Sequence, residues 1–251
     1  MSEGVRGRDL ARVAARTPLL QAVWNYERQQ GVGFACSVEP ALRRIVKDPR
    51  ARAARLAAHV GYFNTQPVLA SMAIGAVIRM EEQRDGAAPE APSESDIARV
   101  KTGLGSALAA VGDAMFWTTL RPLAACLGVL VAQEWRAWGA VALLLTYNAF
   151  ALPLRAAGVW MGYRAGPAVF SPAVRARLQT ATGWMSSLAV IACGLLVAVL
   201  LVPGPVLRPI GVQAALVAGM VAGLLTAARP RPTATQWGLV LGGLCIALNW
   251  H

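Results

Sequence analysis

Residues 137–160 read AWGAVALLLTYNAFALPLRAAGVW, and Arg155 is their only charged residue. About 20 apolar residues suffice for a helix to cross the ~30 Å hydrocarbon core, so this stretch predicts a protein built in a bilayer. Residues 184–202 and 210–228 qualify by the same measure, and 237–250 form a shorter, marginal run. Toward the N-terminus, residues 106–132 are long enough but contain Gly112-Asp113 and Arg121-Pro122. Charge at membrane depth is costly unless it is paired or faces water or protein. These positions therefore mark a pathway or a broken helix, the device from which transporters build binding sites. Residues 67–80 are apolar but short for a crossing, which predicts a re-entrant or interfacial segment.

Composition agrees. Of 251 residues, 56% are hydrophobic and only 15% charged, and the net charge is +11. The charge is unevenly spread: residues 1–101 hold 15 basic and 11 acidic residues, whereas 102–251 hold nine arginines and only Asp113 and Glu134 as acids. The expected division is thus a polar region 1–101, with a Pro/Glu/Ser-rich linker at 85–96, and a transmembrane region 102–251. Within the first, residues 10–60 alternate apolar and Arg-rich positions as two or three amphipathic helices would, with Thr17-Pro18 as a start signal. The basic stripe Arg43, Arg44, Lys47, Arg50, Arg52 and Arg55 fits a solvated face near anionic headgroups. It lacks the aromatic interleaving of a nucleic-acid site, so no nucleic-acid partner is expected.

Trp135, Trp138, Trp160, Trp184, Trp237 and Trp250 fall at or near the ends of the apolar runs, as an interfacial belt requires. Arg164, Arg175 and Arg177 in a loop at 161–183, with Arg229 and Arg231 near Pro230, outnumber the single Arg208 of the 203–209 turn. The positive-inside rule then places the N-terminus in the cytoplasm and the C-terminus outside. Cys36, Cys126, Cys193 and Cys245 are far apart in sequence and read as small buried apolar residues. With only His59 and His251 as histidines, no metal site is expected, and no nucleophile or phosphate-cradling loop marks a catalytic residue.

Phe63-Asn64-Thr65-Gln66-Pro67 suits a sugar. The amides of Asn64 and Gln66 and the hydroxyl of Thr65 match vicinal sugar hydroxyls without net charge. The alternative is an N-cap, Asn64 or Thr65 satisfying free amides of the helix that follows. Asp113 could accept from sugar hydroxyls while Trp117 or Phe116 stacks on the ring, or it could cap a half-helix or pair with Arg121. Glu27 and Arg28 with Gln29 and Gln30, and likewise Glu81, Glu82 and Gln83, form polar knots that could line a cytoplasmic mouth or contact a partner, or be solvated pairs.

Four strings in register, NYERQQGVGFACSVEPALRR from Asn25, FNTQP from Phe63, EEQR from Glu81 and KTGLGSALAAVGDAMFWTTLRP from Lys101, resemble the IID membrane subunit of the mannose/fructose/sorbose family of the phosphoenolpyruvate-dependent sugar phosphotransferase system. The resemblance implies a permease subunit of the bacterial inner membrane that forms, with a IIC partner, a hexose pathway coupled to phosphorylation by cytoplasmic IIB. It implies a multimer of IIC–IID pairs, contact with membrane lipids, no cofactor and no phosphorylated residue, so His59 is expected to be a partly buried or interfacial helix histidine. Glu39, Ser106-Ala107 and Ala110 depart from the family pattern, which generally has an apolar residue, Gly-Pro and Gly there. The altered stretch from Ser106 to Ala110 motivates an alternative, a non-transporting membrane scaffold or regulator. The fold expected is an all-α polytopic membrane protein: cytoplasmic amphipathic N-terminal helices, re-entrant or broken helices, then several transmembrane helices.

Overall fold

A computed structural model describes residues 4–86 and 90–201. The expected spans at 210–228 and 237–250, the turns at 203–209 and 230–232, and Cys245, His251 and the C-terminal topology lie outside the described residues. Among the described residues every regular element is helical: α1 (Gly7–Arg16), α2 (Gly31–Ile45), α3 (Pro49–His59), α4 (Ala70–Asp85), α5 (Glu94–Gly112), α6 (Arg121–Trp135), α7 (Trp138–Ala165) and α8 (Pro172–Leu201). A π-helical stretch, Asp113–Leu120, joins α5 to α6. The runs Glu94–Trp135, Trp138–Phe170 and Pro172–Leu196 are long and apolar enough to cross a membrane. The chain divides into two compact units: the described residues up to 113 with 149–176, and 114–148 with the described residues from 177 onward.

In the first unit α1, α2 and α3 are the expected amphipathic helices. α1 buries Leu10 and Val13 and exposes Arg8 and Arg12, an apolar stripe at helical spacing. Thr17-Pro18 opens a short 3-10 turn, Thr17–Gln21, rather than an α-helix. Pro40 sits inside α2, where its missing amide strands the carbonyl of Cys36 four residues back. Arg16 donates to that carbonyl at 2.9 Å and to Glu39 at 2.8 Å. Glu39, unexpected by family pattern, thus holds the arginine that repairs the helix.

The core of this unit is α4. Every residue from Ala70 to Ile78 is buried, most of them completely, because α4 is apolar all round and packs against α2, α5 and the 3-10 turn Gly166–Phe170. The run 67–80 continues without interruption into the charged cluster 79–84. α7 approaches α4 backbone to backbone. A Cβ at Gly75 would collide with the Val159 carbonyl, and one at Gly162 with that of Met72, the close approach that Gly158-x-x-x-Gly162 permits.

Two expectations about breaks and loops are corrected. Residues 106–132 do not break at Gly112-Asp113 or before Arg121-Pro122; the helix widens into the π stretch instead. Thr118 and Thr119 both donate to the Ala114 carbonyl, at 2.7 and 2.8 Å, and wider turns absorb the amide that Pro122 lacks. Residues 161–183 are not a loop either: α7 runs to Ala165 and α8 begins at Pro172. The arginines that end the apolar windows sit on helix ends, where long cationic side chains reach out of apolar surroundings. Trp135, Trp138 and Trp184 are 65%, 66% and 56% exposed, as indoles facing a membrane interface would be, although Trp184 lies within α8 rather than at its start.

Candidate functional site

The segment 63–66 is pinned from two sides. On one, Gln30, itself buried, reads the backbone of Thr65 in both directions: its Nε2 donates to the Thr65 carbonyl at 2.7 Å and its Oε1 accepts from the Thr65 amide at 3.1 Å. The Gln30 amide also donates to the Phe63 carbonyl at 2.8 Å. The turn 25–29 that delivers Gln30 is closed by Asn25, whose Oδ1 accepts from the Arg28 amide at 2.8 Å. On the other side lies α5. A Cβ at Gly105 would stand 3.1 Å from the Phe63 ring, and one at Gly112 would collide with the Gln66 side chain. Positions 105 and 112 are two turns apart and share a face, so the glycines carve a groove in which residues 63–66 lie.

Behind the segment, the buried Lys101 ammonium donates to the carbonyls of His59 at 2.8 Å and Gly61 at 3.3 Å. It also lies 4.6 Å from the Phe34 ring centroid and 5.7 Å from that of Phe63. Carbonyls at the end of α3 and two aromatic faces thereby replace its water. His59 is fully buried rather than partly so, with Nε2 3.1 Å from Glu81 Oε1.

The structure brings the FNTQP and Gly112-Asp113 strings together and separates their roles. Gln66 Oε1 accepts from the amides of Val68 at 2.7 Å and Leu69 at 3.1 Å. The residue before Pro67 thus caps the turn entering α4, correcting the expectation that Asn64 or Thr65 would do so. Pro67 offers no amide, so the acceptor nearest the next two amides serves. The Thr65 hydroxyl is buried without a hydrogen-bond partner among the described residues. Asn64 is exposed, and its side-chain amide makes no hydrogen bond to the protein among the described residues. Asp113 is exposed beside Gly112. Trp117, in the other unit, is 41% exposed with the Arg121 guanidinium 5.6 Å from its ring centroid.

The polar knots differ from one another. Glu27 and Arg28 form an exposed pair at 3.5 Å. Glu81 is buried among His59, Arg55 at 3.2 Å and Arg84 at 4.0 Å. Burial pushes its carboxyl pKa up, but the His59 hydrogen bond and the charges of His59, Arg55 and Arg84 outweigh that and hold it below the usual 4.5. Glu82 is half-buried and accepts from the Val5 amide at 2.7 Å, Arg79 at 2.9 Å and the Tyr163 hydroxyl at 2.6 Å.

Sequence reading placed Gln30 in a polar knot but missed its clamp on Thr65, and it missed Lys101 and the glycine groove. The seven-residue spacing of Gly105 and Gly112 was the available signal for the groove. Nothing local announced that Gln30 reaches position 65.

By fold, the chain is a helical membrane protein carrying a polar segment locked against a transmembrane-length helix. The family described as PTS system mannose/fructose/sorbose family IID component matches residues 5–206, and the chain belongs to that family. It is 35% identical over 190 residues to the PTS system mannose-specific EIID component of Escherichia coli (strain K12), covering 75% of this chain and 66% of that protein. The alignment therefore spans just under two thirds of that relative's length. It is 34% identical over 189 residues to the PTS system sorbose-specific EIID component of Klebsiella pneumoniae, covering 75% of this chain and 68% of the relative. The structure resembles a chain of the cryo-EM complex of the mannose transporter ManYZ with microcin E492, at TM-score 0.63 and 34% identity, covering 78% of this chain and 71% of that one.

Proposed function

We propose that this chain is the IID permease subunit of a mannose-family sugar phosphotransferase system. With a IIC subunit in the bacterial inner membrane it forms the sugar pathway, and IIB phosphorylates the sugar at the cytoplasmic side, where the N-terminus lies. The subunit binds and orients sugar without itself carrying phosphate, and it works as a multimer of IIC–IID pairs. The observation that carries this reading is the family match over residues 5–206 together with the uncommitted amide of Asn64 on a segment that Gln30 clamps. In this reading Asn64 and Asp113 contact sugar hydroxyls, and Gln66 positions the segment rather than the sugar. Nothing in the geometry favours a non-transporting scaffold: Ser106 is an exposed residue of regular helix, bonded to the Thr102 carbonyl at 3.3 Å.

The test is hexose uptake into vesicles that hold the cognate IIC and are supplied with IIA, IIB and phosphoenolpyruvate, with and without this chain. Uptake that requires the chain and delivers phosphosugar inside supports the reading. Asn64→Ala and Asp113→Asn should each reduce uptake at least ~10-fold while IIC still copurifies, since a lost hydrogen bond to a buried polar ligand group costs about 1–3 kcal/mol. Full uptake without the chain overturns the proposal, and full uptake by both variants removes the site assignment.

A further inference from the structure

Phe63 and Thr65 turn their backbones the same way. The Phe63 amide donates to the Arg28 carbonyl at 3.3 Å, and the Phe63 carbonyl accepts from the Gln30 amide at 2.8 Å, a parallel bridge between positions 29 and 63. Two residues on, the amide and carbonyl of Thr65 are both met by the Gln30 side chain, at 3.1 and 2.7 Å, which stands where the next residue of a partner strand would. Backbone groups of residues i and i+2 directed at one partner are the mark of an extended strand. Its other edge faces α5, where the Asn64 carbonyl lies 3.3 Å from a Cβ built at Gly105. Side chains of such a stretch alternate between two faces. Phe63 and Thr65 are 2% and 4% exposed, whereas Tyr62 is 61% exposed and Asn64 is exposed with it. Tyr62 and Asn64 thus share the open face, about 6.6 Å apart along the chain.

We propose that Tyr62 is the aromatic platform of the sugar site: a pyranose lays its apolar C–H face on the Tyr62 ring while Asn64, next on the same face, takes hydroxyls at the sugar's edge. This inference rests on the reading of Asn64 as a sugar contact. The face of an aromatic ring is its negative pole and attracts the weakly positive C–H hydrogens of the sugar, and the Asn64 amide offers two donors and an acceptor. A few polar groups beside an aromatic wall are the usual composition of a small-molecule site. Other exposed rings are placed differently. Trp24 and Tyr26 meet each other edge to face at 4.8 Å, and Trp117 belongs to the other unit. The platform also selects among hexoses. An epimer with an axial hydroxyl on the stacked face would press a polar group against the ring without a hydrogen-bond partner, which is costly.

The experiment measures initial rates of phosphosugar formation in vesicles that hold this chain and the cognate IIC, supplied with IIA, IIB and phosphoenolpyruvate, with mannose, glucose, fructose and sorbose as probes. For the probe with the lowest KM, Tyr62→Ala and Tyr62→Leu should each raise KM about 5- to 10-fold, the range of a ring-face contact. Their kcat should stay nearly unchanged, as when a contact made equally before and during reaction is lost. Tyr62→Phe, which keeps the ring, should retain the wild-type KM, and so should Tyr26→Ala, which removes an 88% exposed ring elsewhere. A wild-type KM in Tyr62→Ala overturns the proposal, as does an equal rise in Tyr62→Phe or Tyr26→Ala. A fall in kcat with KM intact, or loss of copurification with IIC, assigns Tyr62 to assembly and overturns it too. If the wild type phosphorylates none of the four probes, the transport reading falls and this inference with it. If the wild type is active and Asn64→Ala is impaired while Tyr62→Ala keeps full affinity, the platform alone falls.

Discussion

Arg16 is a repair made visible by the defect it serves. If it replaces the amide that Pro40 lacks, its value depends on the proline being there. Arg16→Met should cost about 1–2 kcal/mol of stability in detergent, and clearly less in a Pro40→Ala background, where the restored amide reclaims the Cys36 carbonyl. A double-mutant cycle by thermal unfolding measures the coupling, and additive effects would sink this account. Glu81 makes a second residue-scale prediction. Its carboxyl pKa is held below 4.5 in the folded protein, so the stability it contributes is complete above that value and lost as pH falls through the lower folded value. Melting temperature should therefore fall below about pH 4.5 in the wild type, and the curve of Glu81→Gln should be flatter there.

At the scale of elements, the contact of α4 with α7 depends on having no side chain between the backbones. Gly162→Leu should destabilise the protein by ~3 kcal/mol or more, the upper range for overpacking, whereas Gly183→Leu, at a site where a Cβ would meet nothing within 4 Å, should change the melting temperature little. Equal shifts would show that the two helices do not need the approach. Elements also show what the sequence could reveal. Pro67 and the amides before it announced a helix entry, and the apolar runs gave the three long helices. Pro122 marked an irregularity, but a missing amide looks the same in sequence whether the helix breaks or widens, so the π stretch was not foreseen. α4 is apolar enough to suggest contact with the membrane, and hydropathy does not distinguish lipid from surrounding protein. The clamp of Gln30 on Thr65 spans 35 positions and leaves no local pattern.

At the scale of the molecule, exposed apolar side chains separate the long helices from the polar N-terminal helices. Leu144, Leu145, Phe150 and Leu152 of α7 are 58%, 66%, 47% and 56% exposed, a surface that water does not tolerate over this length. Expressed alone, the chain should sediment with membranes, resist an alkaline carbonate wash and be released by detergent. Release by carbonate would contradict membrane integration.

The approach of α7 to α4 also sets a clock. Position 162 leaves the ribosome some 87 residues after position 75, which at 5–20 residues per second is roughly 4–17 s. For that interval the nascent α4 exists without the neighbour that seals its glycine face, and the first unit cannot close. A chaperone or the insertion machinery has that window to hold an apolar helix that, once α7 arrives, is enclosed within the first unit.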